Sequence, residues 1–347
     1  MKKYQLFITA CALALALVSP ALPVQGTDNS QPQASVHPWV WPLAPDKPRV
    51  QFIRTIITPQ DLGIKKGFFA RVWEFIAGED SVDRIVSPHG IVADGEGKVY
   101  VADWGGACVH FFDFEKKDYD KFNMTKMGPL VSPIGAALDA GGLLYITDSA
   151  LRRVFVYSGR KNKRIIGDDS MQRPTGIAIN KKEKLLYVVD TRGHRVDIYN
   201  LEGIKTGSFG KEGARDGEFN HPTHIAVDKT GDLYVMDTLN FRVQIFDKSG
   251  KYLAGFGSNG TAIGAFIKPK GIAVDNEGHI WVSDGVRNSV QIFDRAGKLL
   301  LIFGRNGIGA GEFDVPAGLY LDSKDRLYVA DSYNYRVQMF QYLQQTD

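Results

Sequence analysis

Residues 222–247 run Pro222-Thr223-His224-Ile225-Ala226-Val227-Asp228, then Lys229-Thr230-Gly231, then Leu233-Tyr234-Val235-Met236-Asp237, a short loop, and Arg242-Val243-Gln244-Ile245-Phe246-Asp247. Each piece has a physical reading. Ile225-Ala226-Val227 is a short strand of small apolar residues suited to close packing, and in the Lys-Thr-Gly turn glycine supplies backbone freedom. Residues 233–236 are continuously apolar, as in a strand buried on both faces, whereas residues 242–246 alternate. After Ser249-Gly250, residues 252–256 supply a fourth strand. Four short strands joined by tight turns make an antiparallel meander.

The chain writes this unit six times, with copies opening at Pro88, Pro133, Pro174, Pro222, Pro269 and Pro316. The aspartate that closes the second strand recurs at Asp103, Asp148, Asp190, Asp237, Asp284 and Asp331, in steps of 45, 42, 47, 47 and 47 residues. A period in the forties built from strand-like units predicts an all-β, six-bladed β-propeller of four-stranded antiparallel blades. The repeat also removes the usual inference from 347 residues to two domains. The last copy stops after its third strand, near Leu343. The missing strand is available at residues 49–56, expected to pair beside residues 336–341, close the ring and cover its edges. The propeller is thus expected over 49–343, with a short tail at 344–347.

Between the later copies a glycine signature repeats with identical spacing: Gly210, Gly213, Gly217, Phe219, Pro222, then the same pattern from Gly257 and from Gly304. No helix follows these glycines, so they are read as crossover loops with the Phe plugging the seam between blades rather than as a phosphate cradle. A second recurrence is Asp followed five residues later by Arg: Asp148/Arg153, Asp190/Arg195, Asp237/Arg242 and Asp331/Arg336. Across a hairpin this sets a carboxylate opposite a guanidinium, a structural pair that fixes the turn. Six like acids in a ring are scaffold, because a catalytic site needs different groups. Cys108 and Ser289 replace the Arg in the first and fifth copies, so Asp103 and Asp284 must be satisfied otherwise, with Arg287 a candidate substitute in the fifth.

Outside the repeats, residues 1–26 have a basic start at Lys2 and Lys3, an apolar run from Leu6 to Val18 and small residues near Ala21 and Gly26, the pattern of a signal peptide. A lipoprotein box ending at Cys11 fits poorly. The destination is therefore periplasmic or secreted, with a lipid anchor the less favoured form. Residues 27–48 are Pro- and Gln-rich and read as a tether. Ile64, Phe68, Val72 and Ile76, flanked by Phe69, Trp73 and Ala77, predict a short amphipathic helix near 64–77 that packs on the propeller or docks to a partner.

Composition narrows the function classes. Without Lys2 and Lys3 the net charge falls from +3 to +1, so nothing global steers the chain to nucleic acid or an anionic membrane. Without Cys11, Cys108 is the sole thiol, and no internal disulfide can form. The basic group of Arg152, Arg153, Arg160, Lys161, Lys163 and Arg164 with Lys181, Lys182 and Lys184 lacks interleaved aromatics and reads as a solvated edge of the second and third blades.

The Pro-x-Gly-Ile-Ala-Val-Asp, Leu-Tyr-Val-x-Asp, Arg-Val-Gln-Ile-Phe sequence resembles the NHL repeat. With the lead-in Trp41-Pro42-Leu43-Ala44-Pro45-Asp46, the array over residues 41–343 is similar to exported bacterial six-bladed NHL propellers. The resemblance implies the fold more than an activity, since propellers host enzymes, receptors and scaffolds alike. Peptidylglycine amidating lyases are similar propellers whose zinc is held by three His, each just after the Pro that opens a blade. Here those positions read His89, Ile134, Thr175, Thr223, Lys270 and Ala317, with His224 one residue further on. Only His89 matches, so His89 and His224 are weak metal candidates. No cofactor is expected, and zinc or calcium in the channel is left open.

The favoured reading is an exported, non-catalytic binding or scaffold propeller, monomeric, that engages a small ligand or a periplasmic or cell-surface protein through one face or the channel mouth. A metal-dependent lyase or hydrolase with a site in the channel is the alternative. Recognition is expected where the copies disagree, at His89, Thr175, Thr223, His224 and Lys270.

Overall fold

The computed structural model describes residues 39–63 and 83–344, and in them six antiparallel sheets stand around a common axis. The signal peptide expected at 1–26, residues 27–38 of the expected tether and the helix expected at 64–77 lie outside the described residues. Blade 1 comprises strands Pro88–Ala93, Lys98–Asp103, Cys108–Asp113 and Asp118–Phe122, paired in chain order. Blades 2 to 5 repeat this order from inner strands Pro133–Leu138, Pro174–Asn180, Pro222–Val227 and Pro269–Val274. Each inner strand packs against the inner strands on both sides, and the circle closes between Pro316–Leu321 of blade 6 and Pro88–Ala93 of blade 1.

Closure is as the repeat predicts. Val50–Ile56 pairs antiparallel with Arg336–Tyr342, from Val50 opposite Tyr342 to Ile56 opposite Val337, and becomes the fourth strand of blade 6. The end of the Pro-rich stretch departs from a free tether. Val40–Trp41 adds a fifth strand beside Val50 and Gln51, because the Trp41 ring packs 5.6 Å from Phe303 and 5.9 Å from Phe340. Burying that indole against two aromatic rings outweighs the ordering of two residues.

The core is a set of six apolar clusters, each filling a seam between neighbouring blades. Phe219, fully buried, sits among Val189 and Ile198 of blade 3 and Val235 and Phe246 of blade 4. Phe266 and Phe313 are likewise buried at the next two seams. Gly210, at φ +91°, is required beneath Phe219, since a Cβ there would lie 2.4 Å from the ring. The crossover glycines thus serve packing.

Each blade also carries a register shift where its inner strand begins, for example between Pro222 and His224 and between Pro269 and Ile272. Proline has no N–H for the ladder, and a bulge at that point re-aims the residues that follow it. The positions where the copies disagree therefore sit beside an irregularity, next to the axis.

Candidate functional site: the axial channel

Inner strands meet almost backbone to backbone at one level of the axis. The residue two places after the opening Pro is Gly90, Gly135, Gly176, Gly271 or Gly318 in five blades, and His224 in blade 4. A Cβ on Gly135 would lie 2.3 Å from the Thr175 carbonyl oxygen, and one on Gly318 would lie 2.0 Å from that of His89. Only glycine fits where neighbouring backbones approach so closely. His224 breaks the ring and brings an imidazole to the axis, where Gly318 passes within a methyl contact of its Nε2.

His89 meets it there. The two rings stack at 18° with centroids 5.3 Å apart, and Nδ1 of each is buried without a hydrogen-bond partner among the described residues. Burial, with the Lys270 ammonium next, pushes His224 down to about 4. Burial, followed by His224 and Lys270, also holds His89 well below the ordinary histidine value. Both rings are neutral at pH 7. Lys270 itself is pushed down to about 8, chiefly by burial and then by Lys268.

Thr175 and Thr223 are placed at the same end, but their hydroxyls are occupied. Thr175 Oγ1 is 2.7 Å from Thr191 Oγ1 and donates to the Thr223 carbonyl at 2.9 Å, while Thr223 Oγ1 pairs with Thr238 Oγ1 at 2.6 Å. These contacts belong to a clasp that recurs around the ring. Thr147 donates to the Thr175 carbonyl, Thr191 to Pro222, Ser283 to Ala317 and Ser332 to Pro88, at 2.5–2.7 Å. A hydroxyl of one blade thus holds the inner strand of the next.

The other end of the axis is open. From the glycine level outward, a funnel of about 410 Å³ widens towards the turns between first and second strands. Its wall is apolar (Ile177, Ala226 and Ile272 among others), His224 lies at its floor, and its rim carries Lys181, Lys182, Asp228, Asp275, Asp322 and Ser323. His89, Thr175, Thr223 and Lys270 do not line it. The lysines read from sequence as a solvated blade edge, Lys181 and Lys182, do. The missed signal lies in that turn, where Asn180 replaces the aspartate of blades 4 to 6 (Asp228, Asp275 and Asp322) and two lysines follow it in succession.

The Asp–Arg recurrence resolves blade by blade. Asp190–Arg195, Asp237–Arg242 and Asp331–Arg336 form ion pairs at 3.0, 2.8 and 2.7 Å. Each contact is through one nitrogen rather than a fork, and the remaining N–H groups of Arg242 and Arg336 bind crossover-loop carbonyls such as those of Glu218 and Glu312. Asp148 and Arg153 face each other in register, but Arg153 turns to Asp169 at 2.7 Å, and Asp148 is satisfied by amides from Val131, Ser132, Ala150 and Leu151. Arg287 serves Asp284 through its backbone amide, its guanidinium binding the Thr261 and Ala262 carbonyls. In blade 1, Asp103 is bonded by His110 at 3.0 Å.

A family model for the NHL repeat matches residues 219–246, 266–293 and 313–340, the last three copies. Among curated proteins, Protein brain tumor of Drosophila melanogaster is 29% identical over 83 residues, 24% of this chain and 8% of that protein. Among solved structures, virginiamycin B lyase from Staphylococcus aureus superposes with a TM-score of 0.54 at 14% identity, over 74% of this chain and 96% of that one. A gluconolactonase from Xanthomonas campestris superposes with a TM-score of 0.58 at 15% identity, over 84% and 98%. At such identities the likeness is one of fold.

Proposed function

We propose that this NHL-repeat propeller is an exported binding module that takes a small anionic ligand into its axial funnel and performs no covalent chemistry on it. The observation that carries the reading is the imbalance of unmet charge at the rim. The four acids there are bonded within the scaffold: Asp228 to Tyr234, Asp275 to His279 and Trp281, Asp322 to Arg326, and Asp325 to Gln344 and the Asn276 amide. Lys181 and Lys182 are exposed at the same mouth and, among the described residues, have no carboxylate within salt-bridge distance. A ligand meets two ammonium groups first and an apolar wall beneath them. Concave, mostly apolar sites of a few hundred Å³ with few polar anchors suit small molecules.

The channel offers little for the lyase alternative. A catalytic zinc takes three protein ligands, and the axis supplies His89 and His224. A third imidazole, His221, lies on a crossover loop, edge-on to His194 at 4.6 Å and bonded to Asn220. The lyase and lactonase folds lend architecture alone, since one fold hosts many functions. Export rests on the leader-like residues 1–26.

Citrate and glucose 6-phosphate, with glucose as the neutral control, test the reading by calorimetric titration. At least one anion is expected to bind saturably where glucose does not, and a Lys181→Glu/Lys182→Glu variant of unchanged circular dichroism is expected to lose it. Equal behaviour of anions and glucose, or full binding by the variant, defeats the proposal.

A further inference from the structure

Blade 1 holds a cluster that belongs neither to the channel nor to the repeated Asp–Arg frame. Asp103, Cys108 and His110 are 0%, 5% and 1% exposed. His110 Nε2 lies 3.0 Å from Asp103 Oδ2 and 3.5 Å from Cys108 Sγ, and the three donor atoms lie within 4.8 Å of one another. On its other side, His110 Nδ1 is 2.9 Å from the Tyr119 hydroxyl.

Protons on the ring leave the Cys108 thiol as the member without a firm partner. A neutral imidazole carries one N–H. Placed on Nε2, that proton serves Asp103 while Nδ1 accepts from the Tyr119 hydroxyl, and the same Nε2 can no longer accept from the thiol. Placed on Nδ1, it serves Tyr119. Nε2 then accepts from Cys108, but the Asp103 carboxylate faces a lone pair. A cation in the middle satisfies all three at once.

We propose that Asp103 Oδ2, Cys108 Sγ and His110 Nε2 bind one thiophilic divalent cation of the zinc class. Mixed N, S and O donors at tetrahedral spacing are the set such an ion takes. Ligands at about 2.0–2.3 Å from a tetrahedral ion are roughly 3.3–3.8 Å apart, so the two separations from His110 Nε2, 3.0 and 3.5 Å, need adjust only slightly. The outer contacts suit ligation too. Tyr119 orients the ring through Nδ1, and the Ser87 and Gly106 amides hold Asp103 Oδ1 at 2.7 and 3.0 Å.

Charge balance points the same way. Binding replaces the thiol proton, which leaves to solvent, so that a thiolate, a carboxylate and a dication sum to zero in a buried place. Four other copies place an Arg where Cys108 stands; here the ion takes over the guanidinium's position. Gly106 keeps the covering loop thin, since a Cβ there would lie 2.9 Å from Asp103 Oδ2 and 3.1 Å from Cys108 Sγ. The ion would tie the second hairpin of blade 1 to residues 86–87, whose amides bind the same carboxylate.

The test is metal content by mass spectrometry after expression with added zinc and purification without chelator, followed by cobalt(II) substitution. One equivalent of metal is expected, with near-ultraviolet thiolate-to-cobalt absorption. Cys108→Ser, nearly isosteric, and His110→Gln should each weaken binding by at least about tenfold, while His89→Ala/His224→Ala keeps metal and spectrum. Folding of each variant is read from near-ultraviolet circular dichroism, and Cys108→Ser alone decides if His110→Gln does not fold. Wild type that takes up neither metal, retention of full affinity in Cys108→Ser, or loss in the channel double variant overturns the proposal.

Discussion

The imidazole rings of His89 and His224 stack at the propeller axis, 18° from parallel and 5.3 Å between centroids, although they come from blades on opposite sides of the ring. They plug the channel at its narrow end, and their neutrality has a consequence for acid stability.

His224 titrates near 4 in the folded protein and near 6.5 in the unfolded chain. Between these values the unfolded chain binds the extra proton, so stability rises with pH through this window and is lost as pH falls from about 6.5 towards 4. The loss from His224 alone amounts to about 3 kcal/mol, and His89 adds to it in the same direction. His224→Asn should flatten the dependence of the urea midpoint on pH between 4.5 and 7. An unchanged slope would show that His224 takes up its proton as readily in the folded protein as in the unfolded chain.

Ring closure predicts that the strand from the N-terminal side is indispensable. Val50 and Ile56 are fully buried, and Trp41 and Phe52 pack on Phe340. A chain starting at residue 58 should lose roughly 5 kcal/mol or more against one starting at residue 39. Equal denaturation midpoints for the two would refute closure as a source of stability.

The glycine level predicts a steep contrast between two substitutions of the same kind. Gly318→Ala sets a methyl 2.0 Å from a backbone carbonyl, whereas Gly260→Ala meets nothing nearer than 3.4 Å. The first should cost at least about 3 kcal/mol, at the upper end of overpacking. The second should stay within about 1 kcal/mol. Chemical denaturation distinguishes them, and similar costs would mean that the inner strands can separate.

The Asp–Arg recurrence predicts unequal arginines. Arg336→Ala strands the buried Asp331 and the Gly309 and Glu312 carbonyls, and should cost about 3 kcal/mol. Arg153→Ala breaks a pair with the exposed Asp169 and should cost about 1 kcal/mol or less. Comparable losses would contradict the separate roles seen in the two blades.

Legibility followed distance along the chain. Asp237 and Arg242, five residues apart across one hairpin, were readable as a pair because local register sets their meeting. Arg153 was not, because the Asp169 that draws it away sits in a crossover loop the repeat does not define. His110 occupies the place of Gln244, which donates to Asp237 at 3.1 Å, so a copy-by-copy comparison could have found it as the partner of Asp103. The hydroxyl clasp was invisible, since Thr147 and Thr175 lie on different blades and their meeting depends on how blades abut.

By itself, the sequence determined the number of blades, the order of strands within each and the strand that closes the ring. Those features rest on short-range periodicity, tight turns and one unmatched strand at each end. Tertiary structure alone decided which end of the channel is plugged, which is open and which side chains face it. His89 and His224 meet, and Lys181 and Lys182 reach a shared mouth, only because inner strands from all six copies converge on one axis, and no local signal encodes what two distant blades place side by side.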